Sequence, residues 1–146
     1  MKLSVIIPSY ESQLHLEKTI ESLQQQVDDN TEVIVVDCSI STEVEAICKR
    51  YDFVTFIKET ERFNPGKGRN IGARCATGDY LVFIDSDVIV APQALTNIKQ
   101  RALQGSLIFG GALELNMDVK PTLSAYIEHY YFNHESQASR SPTSRS

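Results

Sequence analysis

The stretch Tyr80–Val90, YLVFIDSDVIV, carries the reading of the whole chain. Asp85 and Asp87 stand one serine apart inside an otherwise apolar run. A carboxylate is costly to bury unless something pairs with it. The run therefore divides into a short buried strand, Tyr80–Ile84, and two acids at its end. Those acids either cap the next element or hold something positive. Mg²⁺ and Mn²⁺ prefer oxygen ligands and often share substrate phosphates, so an Asp-x-Asp at a strand end suits them. From the two acids alone neither reading is preferred.

The surroundings of that strand decide the fold class. Leu3–Pro8 (LSVIIP) is a short β-branched run, apolar on both sides, as in a central strand covered on both faces; Glu32–Asp37 (EVIVVD) reads as a second buried strand and Phe53–Lys58 (FVTFIK) as a third strand. Between them lie helical patterns. Leu16, Ile20, Leu23 and Val27 recur at helical spacing within Ser12–Val27. Thr42 and Glu45 have capping-box spacing ahead of Val44, Ile47 and Tyr51. Arg62–Gly68 (RFNPGKG) reads as a loop, Asn70–Thr77 as a helix with Gly78 as its C′ residue, and Pro92 to Gly105 as another helix. Ser106–Leu115 returns to strand. Strands alternating with helices at these lengths predict an α/β fold, a mostly parallel sheet flanked by helices.

Composition excludes several classes. The chain has 146 residues, which suits one domain, and a net charge of −5, which argues against a nucleic-acid surface. No apolar run approaches the ~20 residues that span a bilayer, and the first run is too short for a signal peptide. The protein is read as cytoplasmic. Cys38, Cys48 and Cys75 include no C-x-x-C and are read as reduced thiols, with no zinc site. His15, His129 and His134 show no partner spacing and are read as surface or packing residues.

In open parallel sheets ligands bind beyond the carboxyl ends of the strands. That rule gathers Pro8-Ser9-Tyr10-Glu11, Asp37-Cys38-Ser39 and Asp85-Ser86-Asp87 on one rim. Asp37 could bond a ribose or base, or act as a turn cap. Gly66-Lys67-Gly68-Arg69-Asn70 is a basic, glycine-rich helix entry that could attract an anion, or a mobile surface loop. It matches neither G-x-x-x-x-G-K-[ST] nor G-x-G-x-x-G.

Taken in order, SVIIPSYE, EVIVVDCS and GRNIGARCATGDYLVFIDSD resemble the nucleotide-sugar-binding half of a family 2 glycosyltransferase with the Rossmann-like GT-A fold, over about Leu3–Leu115. No single piece is specific; the combination is. The resemblance implies that Pro8, Ser9, Tyr10 and Glu11 line the base and ribose, that Asp37 contacts the base, and that Arg69 approaches the nucleotide. It implies Asp85 beside the ribose, Ser86 between the acids, and Asp87, with Asp85, on a Mg²⁺ or Mn²⁺ ion. The donor would be a UDP- or GDP-sugar, UDP first. The acceptor would be a glycan or lipid-linked molecule, and transfer would proceed with inversion, as in polysaccharide biosynthesis.

The chain also departs from the pattern. Cys38 replaces an acid often found after VVD. After Leu115 no acceptor half is visible, so the expectation is a donor domain, 1–118, truncated at its C-terminus. A helical segment, 119–135, follows, and then a Ser/Arg-rich disordered tail, 136–146. No general base is found in the chain: Glu128 and Glu135, the only acids beyond Asp118, follow no strand. Leu123, Tyr126, Ile127, Tyr130 and Tyr131 share a helical face that could mediate self-association or a peripheral contact with the inner face of a membrane through 121–134. Two other readings stay open. One is a shortened, non-catalytic nucleotide-sugar-binding module acting with a partner chain. The other is a receiver-like signalling domain, which ranks lower because no suitable Lys follows the last strand.

Overall fold

The computed structural model describes residues 1–106, 108, 110 and 111. The strand read over Ser106–Leu115 lies largely outside the described residues. So do the segment 119–135 with its Tyr face, the tail 136–146, and Asp118, Glu128, His129, His134 and Glu135. Everything below concerns the unit Met1–Ser106.

Four strands form one parallel sheet: β1 (Leu3–Ser9), β2 (Thr31–Asp37), β3 (Val54–Lys58) and β4 (Tyr80–Phe83), in the order β3-β2-β1-β4. Every residue of β1 is buried, Ser4 and Ser9 included, as expected of a strand with neighbours on both edges and helices on both faces. Side chains alternate across a strand. Leu3, Val5 and Ile7 of β1, with Val33 and Val35 of β2, therefore point to one side. There they pack on Leu16, Ile20 and Leu23 of α1 (Leu16–Gln24), Val44 and Ile47 of α2 (Glu43–Cys48) and Leu95. Ile6 and Val36 point to the other side, against α3 (Pro65–Cys75). Leu95 belongs to α4 (Ala94–Leu103). This is the α/β, mostly parallel sheet flanked by helices that the sequence predicts.

The contact with α3 explains a glycine. A Cβ at Gly72 would lie 2.4 Å from Ile6 Cγ2, on a fully buried β-branched side chain that has nowhere to go. Gly72 lets the helix backbone rest on the sheet.

The strand order reverses between β1 and β4. β1, β2 and β3 run outward in one direction, and β4 then pairs with the other edge of β1. Such a reversal opens a crevice at the carboxyl ends of the two strands. The amino ends are closed instead. Ser4 Oγ donates to Glu32 (2.5 Å) and accepts from Gly78 N–H (2.8 Å), while Lys2 Nζ donates to Glu32 and Thr77.

Several local expectations need correction. α1 begins at Leu16 rather than Ser12, because Ser12 is used in a turn: its carbonyl accepts from His15 and Leu16, and its hydroxyl meets Ser9. The Thr42–Glu45 capping box does not form; Thr42 makes no side-chain cap bond. The loop read over Arg62–Gly68 ends at Asn64, whose side chain accepts from Lys67 N–H (2.9 Å), with Pro65 in the first turn of α3. Gly78 is not a left-handed C′ residue. It is required because a Cβ there would lie 2.7 Å from the Ser4 backbone nitrogen. Pro92 precedes α4 rather than starting it, and Gly105, at φ +86°, follows its end as read.

Candidate functional site

The loops after β1 and β2 are stitched together at the crevice. Glu11 has φ +48°, unusual for a residue with a side chain and costly by about 1 kcal/mol or more. Two bonds hold it there: its N–H donates to Ser39 Oγ (2.7 Å), and its carboxylate accepts from Ile40 N–H (2.8 Å).

Beneath them, Asp37 is fully buried. Its carboxylate accepts from Ser9 Oγ (2.9 Å), Ser39 Oγ (2.5 Å), Ser39 N–H (3.2 Å) and Lys58 Nζ (2.9 Å). A carboxylate offers about four acceptor sites, so four donors saturate it. Lys58 is placed by register, since it stands opposite Asp37 in the β2–β3 pairing. Its ammonium also donates to the carbonyl of Ser39 (2.5 Å) and reaches that of Ser41 (3.5 Å). Asp37 is thus an anchor for both loops as well as a charge at the rim. Its field, second to burial itself, helps push the Cys48 thiol up to about 12.

Above the anchor lies a cleft of about 510 Å³, lined by Pro8, Ser9 and Tyr10 on one side and Arg62, Phe63, Asn64 and Pro65 on the other. Tyr10 is 39% exposed, and the Arg62 guanidinium lies 4.4 Å from its ring centroid, within cation–π range. An exposed ring and a planar cation at the mouth of a cleft are what a flat, polar heterocycle would stack on. Gly68 keeps α3 close to this wall; a Cβ there would lie 2.6 Å from Phe63 and 3.0 Å from Pro8.

The acids lie on the β4 side. Asp85 and Asp87 are exposed, and Asp85 accepts from Arg69 of α3 at 2.5 Å. The loop is fastened at two positions of α1 and at Gln26, just past its end. Thr19 Oγ1 donates to the Ser86 carbonyl (3.0 Å), Ser22 Oγ accepts from Val90 N–H (2.9 Å), and Gln26 Nε2 donates to the Ala91 carbonyl (3.1 Å). That lacing fixes Ser86 by its backbone and leaves the two carboxylates at the surface. Among the described residues no group of three or more His, Cys, Asp or Glu is placed to hold a metal. Two exposed carboxylates fit a Mg²⁺ or Mn²⁺ ion that completes its shell with waters and phosphates, and do not fit a dedicated all-protein cage.

Pro8, Ser9, Tyr10, Glu11, Asp37, Arg69, Asp85, Ser86 and Asp87 all fall at the carboxyl end of the sheet. They form two groups, an Asp37-centred one with Ser9 and Glu11, and an Arg69–Asp85 one. Sequence reasoning missed Lys58, Arg62 and Phe63, and it placed Ser39 on the rim without its bonds to Asp37. Lys58 was findable as the cation ending the strand next to Asp37. Nothing in the sequence signals that Arg62 stacks on Tyr10.

A parallel sheet whose strand order reverses beside a loop-lined crevice defines a Rossmann-like α/β domain. The chain belongs to glycosyl transferase family 2, whose family model matches residues 4–142. The match runs past Leu115, where the resemblance read from motifs stops. The GalNAc(5)-diNAcBac-PP-undecaprenol beta-1,3-glucosyltransferase of Campylobacter jejuni is 30% identical over 118 residues, covering 77% of this chain and 38% of that protein. Among solved structures, S. aureus TarS 1–349 in complex with UDP-GlcNAc aligns with a TM-score of 0.65 at 28% identity, covering 71% of this chain and 32% of that one. The mannosyltransferase PcManGT from Pyrobaculum calidifontis, in complex with GDP-Man and Mn²⁺, aligns with a TM-score of 0.61 at 29% identity, over 68% and 31%. The chain spans about a third of the length of these relatives. Among the described residues no helix is long and apolar enough to cross a membrane.

Proposed function

We propose that this chain binds a nucleoside-diphosphate sugar, UDP-linked in the first instance, as the donor part of an inverting glycosyltransferase that serves a glycan or lipid-linked acceptor in the cytoplasm. The observation that carries the reading is the presence of two features at the carboxyl ends of the adjacent strands β1 and β4: the Tyr10–Arg62 cleft, and the exposed Asp85–Asp87 pair with Arg69 bonded to Asp85. The cleft takes the base, stacked on Tyr10. Pro8, Ser9 and Glu11 shape the wall toward the ribose, with Asp85 and Ser86 on its far side. Asp87, with Asp85, holds Mg²⁺ or Mn²⁺, which when bound supplies positive charge for the leaving diphosphate.

Asp37 reaches a base N–H only if one of its four donors turns away. Ser9 is the one that can, because Ser12 Oγ lies 2.6 Å from its hydroxyl and offers a second partner. The general base that inversion requires is not assigned among the described residues. A nucleotide-sugar-binding module that works through a partner chain is therefore the second reading, and the segment 121–134 is the stretch proposed for self-association or membrane contact.

Calorimetric titration with UDP-GlcNAc and GDP-mannose, each with Mn²⁺ and with EDTA, tests donor binding. Saturable, Mn²⁺-dependent binding of one donor is expected; equal binding in EDTA removes the metal from the account. Turnover with the bound donor and an acceptor panel then separates enzyme from module.

A further inference from the structure

The geometry points to Arg69 as a positioning residue that occupies Asp85 until donor and cation arrive, and then exchanges to the diphosphate. The inference deepens the donor-binding reading and rests on it for the second half of the exchange.

Arg69 is anchored on α3, one turn inside the helix, and its side chain is one-third exposed. Its only bond among the described residues is to Asp85, itself 56% exposed. An ion pair this open to water is worth little, so breaking it costs little. A long side chain on a rigid helix can swing without any backbone movement. The charges then set the direction of the swing. A divalent ion at Asp85 and Asp87 would face the Arg69 guanidinium at close range and repel it. A diphosphate in the same crevice offers the displaced guanidinium a better, bidentate partner. The start of α3 lies on that crevice: Asn64 and Pro65 line the cleft, and Gly68 packs on Pro8. Cation alone is therefore opposed by Arg69, while cation with nucleotide is assisted by it. The residue couples the two ligands, so that the cation is held well only when a diphosphate accompanies it.

This coupling gives effects of opposite sign on one variant, which a merely structural role for Arg69 does not produce. Mn²⁺ alone is titrated by electron paramagnetic resonance against the wild-type chain, Arg69→Ala, Arg69→Lys and Arg69→Ala/Asp85→Asn. UDP is then titrated calorimetrically at saturating Mn²⁺. Arg69→Ala is expected to bind Mn²⁺ alone about two- to fivefold more tightly than wild type, the range an exposed charge pair supports. It should bind UDP with Mn²⁺ about tenfold more weakly, the loss expected of a charge-assisted hydrogen bond. Arg69→Lys keeps the charge and should resemble wild type with Mn²⁺ alone, and Asp85→Asn should erase the gain. Mn²⁺ affinity that is unchanged or weaker in Arg69→Ala overturns the inference. If wild type binds neither UDP nor GDP at any Mn²⁺ concentration, the donor-binding reading is the one that fails, and the diphosphate half of the exchange falls with it.

Discussion

Removing the ammonium of Lys58 should destabilise the fold from its site end, and the structure sets the size of the effect. Lys58→Met keeps most of the aliphatic stem and deletes only the charged tip. Asp37, fully buried, then keeps Ser9, Ser39 Oγ and Ser39 N–H but loses its one cationic partner among the described residues. Breaking a fully buried ion pair costs about 3–5 kcal/mol. Lys58 is 34% exposed, so water screens part of the pair, and the expected loss is lower, about 2–3 kcal/mol. Some of it also reflects the freed carbonyls of Ser39 and Ser41. Urea unfolding of wild type, Lys58→Met, Asp37→Asn and the double variant isolates the pair. The double variant should be more stable than the sum of the single losses predicts, by about 1 kcal/mol or more. Additive losses, or a Lys58→Met cost below about 0.5 kcal/mol, would refute the claim that Lys58 makes the buried Asp37 tolerable.

Three further predictions concern the rest of the fold. Gly78→Ala should cost about 1–3 kcal/mol in urea unfolding, because its methyl meets β1 backbone at Ser4 and Leu3 as well as the Ser4 hydroxyl; an unchanged midpoint contradicts the close approach. Burial raises the Glu32 carboxyl, but bonds from Ser4, Thr77 and Lys2 outweigh it and hold the group down at about 2, from an ordinary value of 4.5. A depressed folded-state value stabilises above the unfolded one and is lost as pH falls, so wild type should lose up to about 3 kcal/mol between pH 4.5 and 2. Glu32→Gln should lack that arm, and a matching acid profile in both proteins would show that the bonds do not matter. In the native protein a thiol reagent should label Cys75 quickly, and Cys38 and Cys48 only on unfolding, since the first is exposed and the others buried; fast labelling of all three contradicts the packing.

The four strands were legible because each is a short run rich in β-branched and aromatic residues between polar or glycine-containing segments; that β1 and, but for Glu32, β2 are buried throughout while β3 and β4 are half-exposed edges follows from their place in the sheet. The start of α3 was not legible, although Asn64-Pro65 is a sound cap and first turn. Gly66 and Gly68 drew the reading toward a loop, yet Gly68 and Gly72 serve packing against Phe63, Pro8 and Ile6, a tertiary demand that no local pattern shows. The same division holds at the site. The motif residues fall at the predicted end of the sheet because topology alone puts strand ends together. Their partners, Lys58 on Asp37 and Arg62 on Tyr10, depend on register and side-chain direction between segments far apart in sequence. Asp37 illustrates both: its place on the rim was readable, its saturation by four donors was not.

The central claim is that the crevice at the carboxyl ends of β1 and β4 is the donor site, and amide chemical-shift mapping tests it most directly. UDP with Mg²⁺ is added to the ¹⁵N-labelled chain. Shifts should concentrate at Ser9–Glu11, Phe63–Asn64, Arg69 and Asp85–Asp87, and Lys2, Glu32 and Thr77 at the closed amino end should stay still. Shifts centred on that amino end, or absent at every one of the crevice residues at saturating nucleotide, would contradict the account.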